Sequence, residues 1–118
     1  MKLWIDDFRT PPDASWTWAI TLAEAITYYR MHVAKEIELS EISFDHDLGV
    51  LIDFDHPLDE AQTTMPLAKL IEEDAFDGIR PPKWSVHSMN PIGRANLEAT
   101  LRSADRLYNE CRPEKTAT

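Results

Sequence analysis

Three short apolar runs, Leu3-Trp4-Ile5, Ile42-Ser43-Phe44 and Trp84-Ser85-Val86, each break off abruptly into polar residues able to do chemistry. The first ends in Asp6-Asp7, the second in Asp45-His46-Asp47 and the third in His87-Ser88. Runs this short, rich in β-formers and ending this sharply, read as buried strands. A weaker fourth run is Trp18-Ala19-Ile20. Helical patterns lie between them. Thr21 with Glu24 has the form of a capping box, and Leu22, Ile26, Tyr29 and Val33 then recur at helical spacing. Pro66 suits a first helical position before Leu67, Leu70 and Ile71, and Gly78 is placed to stop that helix. Asn90-Pro91 is a cap followed by a helix-opening proline, after which Leu97, Leu101, Ala104 and Tyr108 form one apolar stripe. Alternating strands and helices of this kind predict an α/β fold, a small three-layer sandwich whose mostly parallel four-stranded sheet carries helices on both faces. The link from Phe8 to Trp16 holds Pro11-Pro12 and is expected to be an extended or single-turn bridge rather than a crossover helix.

The chain of 118 residues suits one core, so residues 1–111 are expected to form a single domain and 112–118 a flexible tail. Val50 to Thr64 reads as a long polar loop. With 12 basic and 21 acidic side chains the formal charge is 12 − 21 = −9, which disfavours long nucleic acids and anionic membranes as partners. No apolar run reaches the length of a membrane-spanning helix, and the N-terminus turns acidic too early for a signal peptide. Cys111 has no second cysteine to pair with, and the cytoplasm is the expected compartment.

Parallel sheets bind ligands beyond the carboxyl ends of their strands, so the residues closing each run are the candidates. Asp6, Asp7, Asp45 and Asp47 meeting at one edge would repel one another unless a cation lay among them, and a hard divalent ion such as Mg²⁺ or Mn²⁺ suits oxygen ligands. Any one of these aspartates read alone is a turn or helix cap. His46 and His87 at the same edge could serve as base and acid for opening a cyclic phosphodiester, or as metal ligands; either alone reads as a structural group. Ser88, Asn90, Gly93 and Arg94 surround the start of the last helix, where free N–H groups attract anions, and Arg9 could add a second guanidinium. His32 and His56 read as surface residues, the tryptophans as packing, and Asp53, Asp55 and His56 as a remote possibility for a loop metal site.

Asp6-Asp7 closing strand one, with Asp45-x-x-Leu48-Gly49 closing strand three, resembles the phosphate-receiver domains of two-component signalling. Closer still, Leu3-Trp4-Ile5-Asp6-Asp7-x-Arg9-x-Pro11-Pro12, Ser43-Phe44-Asp45-His46-Asp47-Leu48-Gly49 and Val86-His87-Ser88-x-Asn90-Pro91-x-Gly93-Arg94 together resemble the cyclic-phosphate-processing receiver-like family of bacteria and phages. That resemblance implies a receiver-like, flavodoxin-like fold and an action on cyclic nucleotides or other cyclic phosphates. Two features depart from ordinary receivers: no fifth strand brings their lysine, and Val50 to Thr64 is long and acidic. The leading expectation is a metal-assisted phosphoesterase in which Asp6, Asp7, Asp45 and Asp47 hold the ion and His46, His87 and Asp45 act on a small phosphorylated ligand. In it, Arg9, Ser88, Asn90, Gly93 and Arg94 bind phosphate. The alternatives are a module that binds a cyclic nucleotide without cleaving it and a phosphoacceptor domain modified at Asp45.

Overall fold

The protein is represented by a computed structural model that describes residues 1–48 and 63–111. Gly49, most of the Val50 to Thr64 loop with Asp53, Asp55 and His56, and the tail 112–118 lie outside the described residues. The chain runs β1 (Lys2–Ile5), β2 (Trp16–Ala19), α1 (Leu22–Val33), β3 (Glu41–Phe44), α2 (Met65–Phe76), β4 (Lys83–Val86) and α3 (Pro91–Cys111). All strand pairs are parallel and the sheet order is β2-β1-β3-β4. This is the four-stranded parallel sheet with three helices of a receiver-like, flavodoxin-like α/β fold. No described helix is long and apolar enough to cross a membrane.

The strand ends differ slightly from the apolar runs. β1, β3 and β4 each begin one residue early, at Lys2, Glu41 and Lys83, because these charged residues share one register row and Lys83 pairs with Glu41 at 3.6 Å. β2 begins at Trp16 rather than Trp18 and stops before Ile20, whose N–H is taken by the Glu24 carboxylate. That contact and the Glu24 N–H to Thr21 Oγ1 bond complete the cap of α1. At the other end of α2, Gly78 takes φ 91°, a left-handed conformation that a side chain would disfavour.

Register decides which residues share a face. Leu3, Ile5, Ala19, Ile42, Phe44 and Val86 lie on one face and, with Tyr29, Leu67, Ile71, Leu97 and Leu101, form a single buried core. The helices gather on that face: Tyr29 of α1 donates to Asp74 of α2 at 2.7 Å, and Trp84 Nε1 donates to Asp105 of α3 at 2.9 Å. Among the described residues the opposite face carries no helix, which corrects the expected helix cover on both faces. The physical reason is the proline-bearing β1–β2 link, since the crossover helix that would cover this face is replaced by a loop. Trp4, Trp16 and Trp18 cover that face instead, with Trp4 edge-on to Trp16 at 5.7 Å between ring centres.

Candidate functional site

Parallel pairing puts the carboxyl ends of β1, β3 and β4 side by side, so Asp6, Asp45 and His87 arrive together without any long-range search by loops. Asp6 is fully buried, and each oxygen has work. Its Oδ1 accepts the N–H groups of Phe8 and Arg9, both at 2.8 Å, turning the chain back over the strand end. Trp18 Nε1 donates to the Asp6 carbonyl at 2.6 Å and Trp4 Nε1 to the Arg9 carbonyl at 2.9 Å, so two indoles pin the same turn. Arg9 then reaches across to β4, where it donates to the His87 carbonyl at 3.1 Å, with its Nε 3.9 Å from Asp6 Oδ2.

Carboxylate oxygens of Asp6, Asp7 and Asp45 all lie within 4.8 Å of one another. Two unit charges about 5 Å apart repel by roughly 3 kcal/mol at an effective dielectric near 20. Asp45 registers the crowding: burial first, then Asp6 and Asp7, push its carboxyl up to about 6 despite the opposing pull of Arg9. The donor set is all oxygen and anionic, which fits a hard divalent cation such as Mg²⁺ or Mn²⁺. Asp47 falls outside this cluster; its Oδ1 meets His46 Nδ1 at 2.9 Å and its Oδ2 accepts from Asn90 Nδ2 at 3.2 Å.

His87 is held on every side. Its ring stacks on Trp4 at 3.8 Å with planes 5° apart, Nε2 lies 3.0 Å from Asp6 Oδ2, and Nδ1 lies 2.7 Å from Ser43 Oγ. Burial holds its imidazole below the ordinary value, against the pull of Asp6. A neutral ring facing a carboxylate oxygen must donate from Nε2, so Nδ1 accepts from the Ser43 hydroxyl. Ser43 in turn accepts from Ser85 Oγ at 3.1 Å. Both ring nitrogens are therefore committed, and the geometry suits His87 to orienting Asp6 more than to transferring a proton.

His46 is different. Its ring packs on the first turn of α3, and a Cβ built on Gly93 would stand 2.3 Å from His46 Cγ, so only glycine leaves room there. Asp47 takes Nδ1, and Nε2 has no hydrogen-bond partner among the described residues. The phosphate cradle expected at this helix start is only partly presented. Asn90 Oδ1 already accepts the N–H groups of Ile92 and Gly93 at 3.1 and 3.0 Å, and buried Ser88 accepts from the Asn90 N–H at 3.1 Å. Arg94 binds Glu98 at 2.9 Å and its side chain remains 53% exposed. Of the two expected guanidiniums, that of Arg9 lies beside Asp6 and that of Arg94 is paired with Glu98.

Sequence reasoning missed several residues that build the site. Ser43 and Ser85 lie inside the apolar runs with no role assigned from sequence, yet they share the register row of Trp4, and Ser43 bonds His87 while Ser85 bonds Ser43. Trp4 and Trp18 read as packing, but their N–H groups fasten the Asp6 turn. Thr64 donates to the Asp45 carbonyl at 2.7 Å instead of capping α2 with its side chain. His32, expected at the surface, accepts the Leu39 N–H at 2.9 Å and ties down the chain leaving α1. The period-two alternation within Leu3-Trp4-Ile5 and Ile42-Ser43-Phe44 was the available signal.

A family model described as a cyclic-phosphate processing receiver domain matches residues 1–103, which spans all three strand-end blocks and most of α3. No curated protein and no solved structure shows significant similarity to the chain.

Proposed function

The chain belongs to the cyclic-phosphate processing receiver domains, and from that premise we propose that it is a metal-assisted phosphoesterase that opens a cyclic phosphodiester. The observation that carries this reading is the meeting of Asp6, Asp7 and Asp45 within 4.8 Å at the strand ends; His46, next in the chain after Asp45, has an Nε2 without a hydrogen-bond partner among the described residues. Asp6, Asp7 and Asp45 would hold Mg²⁺ or Mn²⁺, which when bound supplies a Lewis acid for the phosphoryl oxygens. Asp6 is aimed by His87 and by the turn N–H groups, so its oxygens are set before a ligand arrives. Arg9, beside Asp6 and partly exposed, offers a guanidinium to a phosphate oxygen. We assign proton transfer to His46, whose Nε2 has no hydrogen-bond partner among the described residues. In the overall reaction water adds to phosphorus, one ring P–O bond breaks, and the freed sugar oxygen takes the proton, leaving a phosphomonoester. In this reading His46 hands a proton to the departing oxygen and regains the one that the attacking water loses, and Asp47 fixes the ring through Nδ1.

The test is to incubate the purified protein with 2′,3′- and 3′,5′-cyclic mononucleotides and cyclic dinucleotides, with Mg²⁺, Mn²⁺ or chelator. Metal-dependent conversion to the phosphomonoester, lost in Asp45→Asn and reduced at least a hundredfold in His46→Ala, is the expected result. Saturable binding with every ligand recovered intact would replace the enzyme with a binding module. Neither turnover nor binding would sink the reading.

A further inference from the structure

Asn90, expected from its place at a helix start to meet phosphate, spends most of its amide inside the protein. Oδ1 caps α3 by accepting the N–H groups of Ile92 and Gly93 at 3.1 and 3.0 Å, and Nδ2 donates to Asp47 Oδ2 at 3.2 Å. The Asn90 N–H donates to buried Ser88 Oγ at 3.1 Å, and its carbonyl accepts the Arg94 N–H at 2.8 Å, so backbone and side chain are both fixed. Only one N–H of the amide is left over.

Asp47 needs such a hold. Its side chain is 46% exposed, so water competes for both oxygens, and among the described residues its side-chain partners are Asn90 and His46. With Oδ2 tied to Asn90, Oδ1 is turned to His46 Nδ1 at 2.9 Å. A ring nitrogen facing a carboxylate donates, so the neutral ring carries its proton on Nδ1 and keeps the Nε2 lone pair free. Gly93 meets the same ring, since a Cβ there would lie 2.3 Å from His46 Cγ. Asn90 and Gly93 stand three residues apart, the spacing at which a cap side chain accepts the N–H of the third helical residue, so one helix end makes both contacts.

We propose that Asn90 is a positioning residue for His46: by holding Asp47, the capped start of α3 sets the tautomer and direction of that ring. This rests on the assignment of proton transfer to His46 and adds to it. Asn90 then acts on the substrate only through His46, and the phosphate is held by other groups.

The experiment compares the parent with Asn90→Ser and Asn90→Asp in the full chain. Both replacements still cap a helix, but serine is too short to reach Asp47 and an aspartate has no proton to give it. Steady-state kinetics with the cyclic mono- and dinucleotides and Mg²⁺ should show kcat lowered tenfold or more in both variants, with KM changed less than twofold. Nitrogen-detected NMR of the neutral rings should find His46 protonated at Nδ1 in the parent and a mixture of tautomers in Asn90→Ser, while the urea midpoint scarcely moves. A raised KM with kcat intact would return Asn90 to the phosphate and overturn the proposal. Loss of kcat only in step with stability, with the His46 tautomer unchanged, would reduce Asn90 to a helix cap and overturn it as well. A parent that turns over none of these ligands sinks the phosphoesterase reading alone. The tautomer then decides: a mixture in Asn90→Ser upholds the positioning role and an unchanged ring overturns it.

Discussion

His87 places Nε2 3.0 Å from Asp6 Oδ2, and through that one contact β4 sets the direction of a carboxylate that belongs to β1. The ring is itself set by Ser43 on β3, so three neighbouring strands fix a single oxygen. His87→Ala should destabilise the protein by about 2–3 kcal/mol in urea unfolding, because a buried carboxylate loses a charged hydrogen bond. Ser43→Ala should cost only about 1 kcal/mol. In nitrogen-detected NMR, however, it should relax the His87 ring towards a mixture of tautomers. An unchanged tautomer in Ser43→Ala would break the proposed chain from Ser85 to Asp6.

Asp45 gives stability an unusual pH dependence. Its carboxyl is raised to about 6 in the folded chain from an ordinary 3.8, so between these values the folded state binds more protons than the unfolded state. The resulting penalty is fully present above pH 6 and is relieved as pH falls towards 4. Without divalent ions, Asp45→Asn should therefore raise the melting temperature at pH 8, by an amount reflecting about 2 kcal/mol, and the gain should vanish near pH 4. Thermal melts of both proteins across that range check the sign.

Divalent ions should reverse the penalty. Mg²⁺ or Mn²⁺ at a hundredfold excess over its dissociation constant should stabilise the parent by about 2.7 kcal/mol. Chelator should abolish this gain. Asp7→Asn keeps the buried Asp6 and Asp45 while removing one of the three carboxylates, and it should weaken the ion-dependent rise in melting temperature at least tenfold in ion concentration.

Gly93→Ala tests how closely His46 is held. The added methyl would occupy space 2.3 Å from His46 Cγ, so the ring must move and its contact with Asp47 must break. Alanine favours a helix over glycine by about 1 kcal/mol, which offsets part of the steric cost. Activity on a cyclic phosphate should therefore fall much further than stability does. Kinetics and urea unfolding on the same variant separate the two.

The two arginines should separate cleanly. Arg9→Ala removes a guanidinium beside the carboxylates and should weaken cyclic-phosphate binding tenfold or more. Arg94→Ala removes one already paired with Glu98 and should change binding less than threefold. Titration calorimetry of the two variants decides between them.

Where the sequence carried periodic information, it was legible. Strand runs, helix stripes and the Thr21, Pro66 and Pro91 signals located the start of every described element to within two residues, because burial and backbone geometry act locally. Asp6, Asp7 and Asp45 could be grouped from topology alone, since parallel strands share a carboxyl edge. Side-chain direction was not legible. Arg94 and Asp47 carry the right chemistry for their expected roles, but Glu98 one helical turn away draws off the first, and His46 and Asn90 occupy the second. Such choices depend on neighbours that only the folded chain supplies. The one-sided helix layer is a further case: the proline link announced a missing helix, but not that tryptophans would stand in its place.

The sheet order has a kinetic consequence. β1 and β3 are neighbours although their partners lie 39 residues apart, whereas β1 and β2 pair across 14, so Asp45 meets Asp6 and Asp7 only when a long-range pairing closes. Like charges thus come together in a step that already bears a large loop-closure entropy. A chain in which only β1 and β2 have paired holds Asp6 and Asp7 without Asp45, and so lacks the complete set of carboxylates that would hold an ion.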